Sequence, residues 1–248
     1  MAVILVTGGS GTLGRQLVPM LREPGTEVRV LSRRPHGGSH VADLVTGAGL
    51  AAAAAGVDLV VHAASDTRRF GQADLAQTRN LLRHLGQVRH LVYVSIVGID
   101  QIPLGYYQRK LACEHEIQIS GVPHTIVRAT QFHELIAGLL RAAERLPVVP
   151  LPLRFRFQPV AAADVAGRIA ELARARPAGR VADFGGPELL TLGDMARTWR
   201  HARGRPRACW PVPVPGRVGR AFRAGLNTCP DHRAGTRRWA DFVGAIPP

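Results

Sequence analysis

Two kinds of apolar pattern alternate along this chain. Short continuous runs, such as Ala2-Val3-Ile4-Leu5-Val6, suit strands buried on both faces, and longer stretches with helical spacing lie between them. This reading predicts strands over 2–6, 27–32, a short segment ending near Leu44, 58–63, 90–96 and 124–128. It predicts helices from the glycine-rich segment after Val6 to about Glu23, through the alanine run 51–55, over 75–85, and over 106–120, where Gly121 closes the last one. Such alternation predicts an α/β fold with a doubly wound parallel sheet, whose ligand crevice lies beyond the carboxyl ends of the strands.

Past Phe132 the pattern is less regular. A helix over 135–145 is broken by Pro147, Pro150 and Pro152, another covers 164–174, and 180–184 reads as a strand. A last helix over 191–201 has Thr191 as its N-cap and Asp194 in its first turn. The expected division is a core over 1–132 and a smaller substrate-binding portion over 133–248, with one or more elements returning to the core. No internal repeat is present.

The first strand runs into Thr7-Gly8-Gly9-Ser10-Gly11-Thr12-Leu13-Gly14 and then a helix. Strand, glycine turn and helix in that order form the context of a dinucleotide fingerprint, although Gly8-x-x-Gly11-x-x-Gly14 is not the Gly-x-Gly-x-x-Gly spacing of many dehydrogenases. The glycines let the backbone approach a pyrophosphate, and the helix N-terminus offers it N–H groups and a favourable dipole. The second strand ends at Arg33-Arg34, and no acid occurs between Glu27 and Asp43. Arginine there suits a ribose 2′-phosphate, where an acid would bind the 2′-hydroxyl, so the expected cofactor is NADP(H).

Of 32 basic residues only Lys110 is a lysine. It follows Tyr106-Tyr107-Gln108-Arg109. An ammonium is a compact charge with movable donors, unlike the planar guanidinium. On a helix, either tyrosine shares a face with Lys110, at i−4 or i−3. A cation beside a tyrosine prepares its phenol for proton transfer.

The ordered set Thr7-Gly8-x-x-Gly11-x-x-Gly14, Asp43-Leu44, His62-Ala63-Ala64-Ser65, Val92-Tyr93-Val94-Ser95, Tyr106-x-x-x-Lys110 and 125–132 resembles the atypical short-chain dehydrogenases/reductases, specifically their NmrA-like NAD(P)H-binding branch. Gly185-Gly186-Pro187-Glu188 extends the resemblance towards the C-terminal part. It implies a Rossmann core in which Asp43 and Leu44 flank the adenine, and Ala63, Ala64 and Ser65 lie against the cofactor. Ala129 and its neighbours also fall at a strand end of the crevice. Lys110 would bond the nicotinamide ribose. The family's usual carbonyl-holding Ser or Thr has one counterpart here, Ser95 in Ser95-Ile96-Val97-Gly98, at the end of its strand. The implied activity is reduction by NADPH of a carbonyl or activated double bond in a small quinone, enone or polyketide-like molecule. Tyr106 would give the proton, Lys110 would position ribose and tyrosine, and Ser95 would polarise the oxygen. Some members bind cofactor without catalysis, so a redox sensor acting on a partner protein is the alternative.

Composition narrows the remaining classes. Hydrophobic residues make up 46% and charged residues 20%, a globular balance. At 5% aromatics a broad stacking surface for single-stranded nucleic acid is not expected. Cys113, Cys209 and Cys229 have no Cys-x-x-Cys spacing and read as reduced thiols of a cytoplasmic protein, with no disulfide framework and no metal site. The first apolar run is too short for a signal peptide, and the alanine-rich stretch 47–65 is broken by Gly56 and Asp58, so no membrane association is expected. The net charge of +14 includes an arginine run without acids between Asp194 and Asp231. Prolines interrupt this run. It reads as an arginine-biased surface that attracts anionic cofactor or substrate, with direct DNA binding a minor alternative. A homodimer is left open. His133 reads as a hydrogen-bonded structural histidine ahead of a proton carrier, and Trp199, Trp210 and Trp239 read as packing residues ahead of pocket walls, with Trp210 the best pocket candidate of the three.

Overall fold

The computed structural model describes residues 1–35, 39–144, 149–204 and 209–246. The elements are β1 (Ala2–Thr7), α1 (Thr12–Leu21), β2 (Thr26–Ser32), β3 (His40–Val41), α2 (Leu50–Ala54), β4 (Leu59–His62), α3 (Asp74–His84), β5 (His90–Ile96), α4 (Gly105–Ile119) and β6 (His124–Ala129). There follow α5 (His133–Ala143), β7 (Val149–Leu151), β8 (Arg156–Phe157), α6 (Ala162–Arg174), β9 (Gly179–Arg180), β10 (Leu190–Thr191), α7 (Leu192–Ala202), β11 (Cys209–Pro211), α8 (Gly216–Ala224) and α9 (Trp239–Gly244).

Seven strands form one sheet in the order β3-β2-β1-β4-β5-β6-β9. β1 pairs in parallel with both β2 and β4, and β4 with β5. The order reverses direction at β1, so the switch point of this doubly wound Rossmann sheet lies between the ends of β1 and β4, at Thr7 and His62. The expected α/β class is the fold observed.

The chain forms two compact units. The first comprises Met1–Ser95, Gly105–Arg128 and Ala166–Ala182. Its core is built from the strand residues Leu5, Val60, Leu91 and Ile126, with Leu81 of α3 and Ile117 of α4 packed among them. α3 buries Asp74, Thr78 and Leu81, positions four and seven residues apart along one face. Inside α4, Glu114 and Arg128 of β6 form a two-pronged ion pair, with Nε–Oε1 at 2.9 Å and Nη2–Oε2 at 2.7 Å. Both side chains are almost fully buried.

The second unit comprises Ile96–Leu104, Ala129–Val165 and Asp183–Pro248. Ile136, Leu140, Met195, Trp199 and Trp239 centre its core. Two short two-stranded sheets, β10–β8 and β11–β7, complete it. α7 starts with a capping box: the Thr191 hydroxyl accepts from the Asp194 N–H, and the Asp194 carboxylate accepts from the Thr191 N–H.

The two units interleave along the chain: 96–104 belongs to the second, and 166–182 to the first. The strand expected over 180–184 shrinks to Gly179–Arg180, which finds partners only at Thr125 and Ile126, while Phe184 makes an isolated bridge with Ala129. Trp210 is 66% exposed and stands in the short strand β11. The buried His133 ring packs on Trp239 and Phe242, with the Pro159 backbone carbonyl as the polar group acting on it. Gly185 and Gly186 serve packing, because a Cβ on Gly186 would fall 1.8 Å from the Pro159 carbonyl oxygen. Pro147, Arg205, Pro206 and Arg207 lie outside the described residues. Among the described residues no helix is long and apolar enough to cross a membrane.

Candidate active site at the switch point

The glycine turn is shaped by three different demands. Gly8 has φ +72°, and a Cβ there would lie 2.7 Å from the Ala64 nitrogen at the end of β4. Gly14 packs α1 on the turn, since its Cβ would meet the Gly9 Cα at 2.4 Å. Gly11 differs: its φ of −75° is ordinary, and an added Cβ would meet only the Gly8 oxygen, at 3.2 Å. It is exposed, as is Ser10, while Thr12 is half-buried and Leu13 is packed inside. Gly11 is the N-cap of α1 and offers no side-chain cap, and the first turn of the helix contains no acid. The first N–H groups of α1 are therefore left to an external anion, and the glycine surface above them lets it approach. This arrangement fits a dinucleotide pyrophosphate.

The Thr7 side chain does not belong to that surface. It is fully buried, with its Oγ1 2.7 Å from His62 Nδ1 and accepting the Ala64 N–H at 3.2 Å. His62 Nε2 is 3.0 Å from Thr78 Oγ1. Burial, reinforced by the Lys110 charge, holds the His62 imidazole down at about 3, so the ring is neutral at ordinary pH. Thr7, His62 and Thr78 thus brace β1, β4 and α3 behind the site.

At the end of β2, Arg33 and Arg34 are exposed and neither guanidinium has a partner among the described residues. Asp43 accepts the Val45 N–H at 2.7 Å and so holds its own turn. Leu44 is packed in the core of the first unit.

Beyond β4, Ala63, Ala64 and Ser65 are half-buried. Ser65 Oγ donates to Asp74 Oδ2 at 2.7 Å and lies 3.1 Å from Tyr106 Oη. Asp74 Oδ1 accepts the Asp66 N–H at 2.6 Å. Tyr106 is half-buried and Tyr107 buried, so Tyr106 is the tyrosine that joins this polar cluster. The Tyr106 ring lies against Gly71, whose φ is +74° and whose Cβ, if present, would come within 2.7 Å of Tyr106 Cδ2.

Lys110 is 4% exposed. Its ammonium donates to Tyr93 Oη at 3.2 Å and to the Val94 carbonyl at 3.4 Å, and it stands 3.7 Å from Asp74 Oδ2. These acceptors suit a compact head with three protons. The expected contact of Lys110 with the Tyr106 hydroxyl is replaced by an indirect one through Asp74 and Ser65. Burial, together with Cys113, raises the Tyr93 phenol well above the usual range. Burial likewise raises the Cys113 thiol.

Ser95, also in the first unit, is 3% exposed, and its hydroxyl has no hydrogen-bond partner among the described residues. In the second unit, Ala129 is buried and its carbonyl accepts the Val97 N–H at 3.1 Å. Sequence reasoning missed Asp74. An acid opening a helix is ordinarily a surface residue, but this one is in phase with Thr78 and Leu81 on the buried face, and that phase was the available signal.

Comparison with known proteins agrees with this geometry. A family model described as NAD(P)H-binding matches residues 8–175. A (4-alkanoyl-5-oxo-2,5-dihydrofuran-3-yl)methyl phosphate reductase of Streptomyces griseus is 29% identical over 219 residues, covering 82% of this chain and 75% of that protein. The NADPH-dependent quinone oxidoreductase QOR2 of Escherichia coli, solved with NADPH, superposes with a TM-score of 0.79 at 21% identity, covering 97% of this chain and 98% of that one. The triphenylmethane reductase of Citrobacter sp., solved with NADP(H), gives 0.70 at 17% identity, over 99% and 96%. The likeness to the two solved structures is one of fold. From the family match, spanning more than half its length, this chain is a member of the NAD(P)H-binding family.

Proposed function

We propose that this protein is an NADPH-dependent reductase acting on a carbonyl or activated double bond of a small organic molecule, of quinone, enone or polyketide-like type. The observation that carries the reading is the convergence, at the β1–β4 switch point, of an uncapped helix N-terminus with a tyrosine linked through Ser65 and Asp74 to a buried lysine. When bound, NADPH supplies the hydride. Gly11 and the α1 N-terminus would hold the pyrophosphate, Arg33 the 2′-phosphate, and Ala63 and Ala64 the face towards the ribose. Tyr106 would give the proton, and Lys110 would hold the polar cluster in place. Ser95 would have to reach the substrate from a buried strand end, and its unpartnered hydroxyl is in keeping with a donor awaiting an acceptor. The substrate for which the Streptomyces relative is named, a small carbonyl-bearing ring, supports the substrate class. The reading includes a cytoplasmic location.

Steady-state NADPH oxidation against a panel of quinones and enones tests the proposal. Turnover with at least one of them is expected. Tight NADPH binding without turnover on any of them would instead favour the redox-sensor reading.

A further inference from the structure

Ser65 has one proton to give and two oxygens within reach, Asp74 Oδ2 at 2.7 Å and Tyr106 Oη at 3.1 Å. A carboxylate only accepts, so in the resting protein the Ser65 proton points at Asp74 and the Tyr106 hydroxyl donates to Ser65 Oγ. The direction of the chain is thereby set as Tyr106 to Ser65 to Asp74. Asp74 is itself anchored, by the Asp66 N–H at 2.6 Å on one oxygen and by the Lys110 ammonium 3.7 Å from the other. Gly71 leaves room for the Tyr106 ring to lie close beside this loop.

We propose that the Ser65 hydroxyl is a switchable hydrogen-bond donor to Tyr106, held ready by Asp74 as a positioning residue. The inference rests on the reductase reading above. When Tyr106 protonates the substrate oxygen, the Tyr106 O–H bond breaks, the substrate O–H bond forms, and the phenol oxygen keeps the electron pair. The reduced carbon has taken up the hydride, so charge and electrons balance. The Ser65 hydroxyl then rotates from Asp74 to the phenolate, with no covalent bond of Ser65 changed. Asp74 keeps the Asp66 N–H and the Lys110 ammonium, so its charge is not stranded. Solvent returns a proton to the half-buried Tyr106. A donor that strengthens only as charge develops acts on the transition state more than on the ground state, and so raises kcat.

The test uses Ser65→Ala, Ser65→Thr, Asp74→Asn and Tyr106→Phe in the full chain. The first readout needs no cofactor: alkaline absorbance titration of the tyrosines, with Tyr106→Phe identifying the Tyr106 component beside Tyr93 and Tyr107. In Ser65→Ala the phenolate loses its donor and its titration moves to higher pH by about one unit, because a hydrogen bond to a charged group is worth about that much. In Asp74→Asn a facing negative charge is lost and the titration moves to lower pH. Ser65→Thr restores the original value. The other charged groups around the phenol, Lys110, Asp66 and Arg109, are unaltered throughout. The second readout is kinetic: in Ser65→Ala kcat falls about tenfold or more while the NADPH dissociation constant stays within about threefold.

An unmoved titration in Ser65→Ala, or a loss confined to NADPH affinity, overturns the switch, the latter by making Ser65 a cofactor ligand. Shifted titrations in a protein that turns over no substrate support the switch and defeat the reductase reading. Unshifted titrations in an active protein do the reverse.

Discussion

The Lys110 ammonium stands 3.7 Å from the Asp74 carboxylate, and their side chains are 5% and 2% exposed. Two opposite charges buried this close attract each other, and neither can be removed without stranding its partner. Lys110 joins α4 to α3 and, through Tyr93 and the Val94 carbonyl, to β5. The one lysine of the chain therefore sits where an ammonium with three separate acceptors is required.

Lys110→Met should cost about 3–5 kcal/mol of stability, the usual penalty for leaving a buried charge unpaired. Lys110→Arg keeps the charge but brings a wider, flat head into a site built for a small one, and both NADPH affinity and turnover should fall. Urea unfolding and fluorescence titration with NADPH measure these effects. Wild-type behaviour of Lys110→Arg in both would mean that the cavity does not discriminate between the two heads.

Gly11→Val should abolish NADPH binding and leave a folded protein. The backbone at Gly11 is conventional, and a Cβ there meets only the Gly8 oxygen at 3.2 Å, so the turn has to give by a few tenths of an ångström and no more. The branched side chain nevertheless occupies the space above the α1 N-terminus. Gly8→Val should instead impair folding, because φ is +72° and the Ala64 nitrogen is 2.7 Å from the Cβ position. Circular dichroism together with NADPH titration separates the two. Near-wild-type affinity in folded Gly11→Val would move the pyrophosphate elsewhere.

Arg33→Ala should erase a preference for NADPH over NADH. Arg33 is exposed, without a partner among the described residues, and no acid stands nearby in the sequence. A charge-assisted pair with the 2′-phosphate is worth roughly 1.5–3 kcal/mol, about tenfold or more in affinity. Parallel titrations with both cofactors check this, and equal affinities in the wild type would refute it.

Stability should rise with pH through the acid range. Burial pushes His133 down to about 4, and burial with the Lys110 charge pushes His62 down to about 3. Unfolded histidines titrate near 6.5, so below about that pH the unfolded chain binds protons that the native state refuses. The contribution is fully present above about pH 6.5 and is lost as pH falls towards the two native values. The slope approaches 1.4 kcal/mol per pH unit for each histidine within its window. His133→Phe, which retains the packing on Trp239 and Phe242, should flatten the dependence in urea unfolding between about pH 4 and 6.5. An unchanged slope would show that His133 protonates freely in the native state.

What the sequence determined by itself is what depends on near neighbours in the chain. The alternation of apolar runs placed β5 at 90–96 without error, and the Thr191–Asp194 pair located the start of α7, because strand periodicity and helix caps are local properties. The same holds for the glycine turn between β1 and α1. The short strand β9 was overextended, because its length depends on how far the chain stays alongside β6, and that is not a local property. The polar cluster of the site could be read only in part. Tyr106 and Lys110 share a helix, but the partner of each was decided by tertiary packing, which brings the β4 loop, the start of α3 and the end of β5 to that helix. Side chains at 65, 74, 93, 106 and 110 meet there, so Lys110 reaches Tyr93 and Asp74 while Tyr106 reaches Ser65. Hydrogen-bond partners at such sequence separations follow from how four segments pack, which no one of them encodes.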